Sequence, residues 1–333
     1  MEKYRLYKFV FQPSHTKEAD WTQSVVAEAT DLSKAQEIFE KILISTFKDD
    51  KRLPIGKEPT TGDKVLPNSI LRNYNHVTLL KLHNPGTVNI WKLSGAKISE
   101  ETFPYSYIII DNRPGIGQLA IQMKTEAWSD PDTVAKLIEE NLNRILKDHG
   151  MGLEIEIRYK YLPTEFFKFV KQRRKDEGVI VKRIFFEFTN PEFETPIETA
   201  VDTTGHLRQL MNMLSELGGA KAKLQVEAPK KKELIKRKLK DIKQMVSLVS
   251  TNGYRLKVEF NDKSKYTCDE LMLHDDEMKE TVLSDFHNGQ KHNFFEFELF
   301  HWLDEMLKKE KDSDYHEQPI RVKPARNNKQ EVS

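Results

Sequence analysis

Leu153-Glu154-Ile155-Glu156-Ile157-Arg158-Tyr159-Lys160-Tyr161 alternates apolar and charged residues without a break. Period two is the spacing of a β-strand whose two faces meet different surroundings. The stretch therefore predicts an antiparallel sheet with one buried face and one wet face. Helical periodicity flanks it on both sides. Upstream, Asp130-Pro131 opens a helix with proline at its favoured first position, and Val134, Leu137, Ile138, Leu142 and Ile145 share one face. Downstream, a helix over 164–175 leads into a strand over 179–188. The pattern gives an α+β class: mixed or antiparallel sheets covered on one side by helices, with a C-terminal helical segment.

Farther out, the chain opens with a strand over 4–11 and a helix over 33–46, where Ser33 and Gln36 have capping-box spacing. Residues 51–67, with three prolines and two glycines, read as a long loop. Strands over 76–83 and 88–93 meet at Asn84-Pro85-Gly86, a turn sequence, and are expected to form a hairpin. A second hairpin joins 105–111 to 118–124. Residues 189–203 hold two prolines and no period, which marks a domain boundary. The expected organisation is an N-terminal α+β domain over 1–190, a C-terminal α+β domain over 203–312, and a disordered polar tail over 313–333.

Within the second domain, a helix over 205–217 and a strand over 223–227 precede a long helix over 230–251. Strands over 254–260 and 264–266 follow, and then Thr267 and Glu270 have the spacing of a capping box that opens an acidic helical region. The last helix, over 293–309, carries Phe294, Phe295, Phe297, Phe300, Trp302, Leu303 and Met306. That apolar circumference is wider than one core face needs, so burial within the chain and an oligomer contact both stay open.

The composition bounds the function. A chain of 333 residues with 38% hydrophobic and 32% charged side chains can bury a core, and its apolar runs fall short of the roughly 20 residues a bilayer crossing needs. The N-terminus interleaves charged and apolar residues and does not read as a secretory leader. Cys268 is the single cysteine, which excludes an intramolecular disulfide and a four-cysteine zinc site. These features point to the cytoplasm and away from membranes.

Charge is segregated along the chain. Residues 229–243 hold eight basic and two acidic residues, whereas 269–305 hold eleven acidic residues and two lysines. On the helix over 230–251, Ile235, Leu239, Ile242, Val246 and Val249 define a buried stripe; Lys232, Lys236, Arg237, Lys240 and Lys243 supply the positive charge beside it. Such a row can follow a phosphate backbone without reading bases. Lys168, Lys171 and Lys175 on the helix over 164–175 would extend the surface. The alternatives are an ordinary solvated helix face and a helix neutralised by the acidic C-terminal region.

A second arrangement suggests catalysis. Asp111 ends one strand, while Gln122 and Lys124 end the next. This resembles the PD-(D/E)xK nucleases, in which an acid and a lysine on neighbouring strands meet a divalent metal at one phosphate. A second carboxylate is missing, and Asp111-Asn112-Arg113-Pro114-Gly115 also suits a tight turn. His274, His287, His292 and His301 lie near acids but match no ligand spacing, so no metal site is expected there. Gly56 to Lys64 lacks the lysine a phosphate loop requires, and no dinucleotide fingerprint, serine elbow or zinc-protease motif is present. No cofactor is expected; a divalent metal enters only with the nuclease alternative.

The run from His206 to Asp262 passes from a helix through Gly218-Gly219-Ala220 and the strand Leu224-Gln225-Val226 to Pro229 and the lysine-rich helix. In that order it resembles phage-exclusion proteins of the RexA type, over less than a fifth of the chain. The resemblance implies a DNA-binding sensor without catalysis in a bacterial antiviral or mobile-element system. The leading expectation is therefore a non-enzymatic protein that binds DNA or another polyanion. The alternatives are the metal-dependent nuclease and a protein-interaction subunit, either a homo-oligomer or part of a defence complex.

Overall fold

The computed structural model describes residues 1–13, 69–84, 86–91, 97–148, 153–189, 221–229, 239–289 and 297–311, most positions of 36–44, and positions 213, 216, 217, 232 and 234. Its elements run β1 (Glu2–Pro13), β2 (Ser69–Tyr74), β3 (Val77–His83), β4 (Gly86–Trp91), β5 (Lys97–Thr102), β6 (Tyr105–Asp111) and β7 (Gln118–Gln122). Then come α1 (Pro131–Asp148), β8 (Leu153–Tyr159), α2 (Pro163–Glu177), β9 (Val181–Thr189) and β10 (Lys221–Glu227). The C-terminal part holds α3 (Leu239–Asn252), β11 (Arg255–Phe260), β12 (Lys265–Thr267), α4 (Cys268–Leu271), β13 (Asp275–Met278), α5 (Glu280–Asn288) and α6 (Glu298–Lys311). Among the described residues no helix is long and apolar enough to cross a membrane.

The chain is an α+β protein built on antiparallel sheets. The larger sheet runs β13-β1-β7-β6-β3-β2, with β8 also paired to β1. Its central strands read as nearly continuous apolar runs because both faces are buried. On one face Phe9, Leu80, Ile108, Ile110 and Ile121 meet α1 together with Phe39 and Leu43. On the other, Leu6, Leu79, Ile109 and Ala120 meet α5 and α6 through Phe286, Phe297, Phe300 and Leu303. Each fully enclosed large side chain contributes about 1.5–3 kcal/mol. Phe297, Phe300, Leu303 and Met306 are used within the chain, and the helix also contacts α3; Phe294 and Phe295 lie outside the described residues.

β1 is long enough to serve two partners on one edge. Its first half pairs with β13 and its second half with β8. At the junction the Leu6 amide donates to the His274 carbonyl, and the Lys160 amide donates to the Leu6 carbonyl. The smaller sheet runs β10-β9-β11-β12 and is separate from the larger one. Ile184, Phe186, Leu256 and Val258 on its inner face pack with Phe166, Phe167 and Val170 of α2 and Ile242, Val246 and Val249 of α3.

Gly253, after α3, makes the close fit possible. Its φ is +63°, and an added Cβ would come within 2.8 Å of both the Arg158 Cβ and the Tyr159 carbonyl. Any side chain would force α3 away from β8 and cost backbone strain as well.

Three expectations need correction. The charged face of β8 is wet only in part: Glu154 and Glu156 are half-exposed, whereas Arg158 and Lys160 are buried, because the end of α3 and Glu310 of α6 cover them. The hairpin expected across Asn84-Pro85-Gly86 does not form. β3 pairs instead with β6, and β4 pairs with β5 as a separate ribbon. Asn84 serves that departure, donating its amide to Pro104 and its side-chain nitrogen to Ala127. Finally, the acidic region contains a strand, β13, drawn in by the free edge of β1. The capping box of Thr267 and Glu270 does open α4.

The cores also cross the boundary expected at 190–203, which itself lies outside the described residues along with the tail. α2 and β9 pack in the second core, whereas β13, α5 and α6 return to the first sheet.

Candidate nucleic-acid interface

Among the described residues the smaller sheet has helices on its inner face only. Along β10, exposure alternates strictly, with Lys221, Lys223, Gln225 and Glu227 outward; along β11, Arg255 and Lys257 are exposed between buried Leu256 and Val258. Strand register arranges these side chains in rows. One row reads Lys223, Glu187, Arg255, and the next reads Gln225, Phe185, Lys257, Thr267. A third reads Glu227, Arg183, Glu259, Lys265.

The rows differ in charge. The third is internally neutralised, since Arg183 lies 3.0 Å from Glu227 and 3.2 Å from Glu259, and Lys265 lies 3.5 Å from Glu259. The hydrogen bond from Arg183 holds Glu227 below the ordinary carboxylate range. Beside Phe185 the balance is positive: Lys257 stands opposite it and Lys223 and Arg255 stand one row on, with Glu187 between them at 3.4 Å from Lys223 and Asp269 at the cleft edge; Lys221, opposite Thr189, stands farther along. Among the described residues Lys257 pairs with no carboxylate. A cleft of about 690 Å³ lies over this part of the sheet, with Phe185 in its wall.

At one end, a smaller pocket of about 200 Å³ lies between the sheet and β8, sharing Glu187, Arg255 and Asp269 with the cleft. Burial alone would raise the Glu156 carboxyl, but the Arg158 hydrogen bond and the charges of Lys221 and Arg255 hold it below its ordinary value. Tyr161 donates its hydroxyl to Asp269. Cys268 lies behind, its thiol pushed up to about 12 by burial, so it is no nucleophile at neutral pH.

The helices α2 and α3 pack on the other side of this sheet. Ile242, Val246 and Val249 form the buried stripe as expected, but Ser247, Leu248 and Ser250 are buried too, because α6 covers the back of α3. Lys243 is half-buried and Lys232 exposed, the latter's carbonyl accepting from Lys182. The side chains of Lys236, Arg237 and Lys240 lie outside the described residues. On α2, Lys168 pairs with Glu165 at 2.5 Å, Lys171 is half-buried and Lys175 is exposed. In the acidic C-terminal helix Asp304 pairs with Arg113 and Glu310 with Lys160.

The nuclease arrangement is corrected by the strand direction. β6 and β7 are antiparallel, so Asp111 stands opposite Gln118 and the far end of β7 lies about 14 Å away. Asp111 is fully buried and held by Arg113 at 2.9 and 2.7 Å. Gln122 accepts from the Tyr107 amide and donates to Glu2, and the Lys124 ammonium sits over the Tyr105 ring. These three residues cannot share one phosphate. Among the described residues, no group of three or more His, Cys, Asp or Glu could hold a metal ion.

The rows around Phe185 were missed in the sequence, although the alternation of Lys221 with Lys223 and of Arg255 with Lys257 is visible there. The chain matches no protein-family model, no curated protein and no solved structure.

Proposed function

We propose that the chain binds a nucleic-acid strand on the open face of the smaller sheet. The observation that carries this reading is the group of Lys223, Arg255 and Lys257 beside a half-exposed aromatic ring, Phe185, in the wall of one cleft. Lysine and arginine meet phosphates and release counterions, while an aromatic ring on a sheet gives an unpaired base a stacking surface. Together these favour a single strand over a duplex, whose bases are already stacked. A role in an antiviral system belongs to the same reading and rests on the RexA-type resemblance.

The test compares two faces of one sheet. Retention of a labelled single-stranded oligonucleotide at low salt is lost in Lys223→Glu/Arg255→Glu/Lys257→Glu and kept in Lys168→Glu/Lys171→Glu/Lys175→Glu. The reverse pattern places binding on the helices, and no retention by the unaltered protein removes the proposal.

A further inference from the structure

We infer that the pocket between β8 and the smaller sheet takes one unpaired base bearing an exocyclic amine, so that strands containing cytosine, adenine or guanine are preferred to strands of thymine or uracil alone. The inference rests on the nucleic-acid reading above and adds a specificity to it.

Size is the first argument. At about 200 Å³ the pocket is smaller than the roughly 300–1,000 Å³ that hold drug-sized ligands, and it has room for a single planar ring system. A base pair within a duplex cannot enter it. Its walls offer planar surfaces: the rings of Tyr159 and Tyr254 line it, and the Arg158 guanidinium lies 5.7 Å from the Tyr254 ring centre. Unpaired bases stack on such aromatic and guanidinium planes.

The polar lining is the second argument. Glu156, Glu187 and Asp269 bring three carboxylates into a region otherwise ruled by cations. Ionised carboxylates only accept hydrogen bonds, and each has about four lone-pair positions. Arg158 uses one oxygen of Glu156 at 2.6 Å, Lys223 approaches Glu187 at 3.4 Å, and Tyr161 and Cys268 use Asp269. The remaining positions suit N–H donors. Cytosine N4, adenine N6 and guanine N2 are amines with two N–H donors each, whereas thymine and uracil offer one N3–H between the acceptors O2 and O4, which would face negative charge.

Position is the third argument. Arg255 and Glu187 belong to both cavities, so a strand lying over Phe185 passes the pocket mouth. Lys221 and Arg255 stand there to meet the phosphates on either side of the inserted base.

The experiment uses the full chain and fluorescence anisotropy. The probes are an all-thymine oligonucleotide of about twelve nucleotides and the same strand with one internal cytosine or adenine. The single amine-bearing base should tighten binding about 5- to 50-fold, on the scale of one well-placed base contact. Free cytidine monophosphate should compete better than uridine monophosphate, a comparison that needs no variant. Glu156→Gln/Glu187→Gln should tighten binding of every strand, because two negative charges leave the face, and should bring the ratio of the cytosine-containing to the all-thymine affinity to about one. A matched set of uracil and cytosine ribonucleotides tells RNA from DNA. Equal or tighter binding of the all-thymine strand, or a preference that survives the double variant, overturns the pocket while the nucleic-acid reading stands. Failure of every strand to bind overturns both.

Discussion

Lys160 Nζ lies 2.8 Å from Glu310 Oε2, and neither side chain exposes more than 2% of its surface. The two residues tie the end of β8 to the last helix across 150 positions of sequence. Gln118 accepts a further hydrogen bond from Lys160, and His274 Nδ1 lies 2.9 Å from the second oxygen of Glu310. A buried pair of this kind is weak evidence of net stabilisation, yet breaking one half is costly because an unpaired charge stays in the core. Glu310→Leu and Lys160→Met should each cost about 3–5 kcal/mol in urea unfolding. The double variant should cost less than Glu310→Leu alone; a simple sum of the two losses would contradict this account.

The same pair sets a pH dependence. Burial pushes the Glu310 carboxyl up, but Lys160 and His274 together hold it below its ordinary value. With the folded value depressed, the unfolded chain takes up the proton first. The stabilisation is therefore present above the ordinary glutamate value of about 4.3 and is lost as pH falls through the folded value. Glu310→Gln should be less stable at neutral pH and show a shallower decline below pH about 4.5; an unchanged acid limb argues against the linkage.

Asp111 is a structural anchor for the turn between β6 and β7. Arg113 bridges it to Asp304 of α6, at 2.7 and 2.8 Å. Asp111→Ala should lower stability by about 3 kcal/mol, since it leaves Arg113 half-paired in a largely enclosed site. Any DNA cleavage that depends on magnesium and disappears in a still-folded Asp111 variant would reverse this assignment.

Cys268 reports on the opening of the second core. Its side chain is buried, with the sulfur accepting from the Leu256 amide at 3.3 Å, and the thiol is pushed up to about 12. A thiol reagent at pH 8 should label it only as fast as that core opens, so labelling should accelerate with urea in step with unfolding. Rapid labelling of the native protein contradicts this packing.

Much of the fold was legible because local rules act on single elements. Period two marks β8, proline starts α1, and the box of Thr267 and Glu270 opens α4. What escaped depends on distant partners. Lys160 reads as a solvent residue until Glu310 is known to cover it, and β13 reads as helix until the edge of β1 is known to be free. Asn84-Pro85-Gly86 looks like a hairpin turn by local chemistry, yet the apolar run of β6 is the better partner for β3. The candidate interface was hidden for the same reason. Each of its strands alone shows an ordinary solvent face, and only the register of β10 and β11 against β9 sets Lys223, Arg255 and Lys257 beside Phe185.

The most direct test of that arrangement is the salt dependence of single-stranded oligonucleotide binding. Displacing about 0.7 counterion per phosphate contact, the three cations beside Phe185 give a slope of log Kobs against log salt of about −2. Lys257→Ala should reduce that slope by about 0.7, and Phe185→Ala should weaken binding at every salt concentration without changing it. A slope near zero, or one that Lys257→Ala leaves unaltered, would contradict binding on the open face of the smaller sheet.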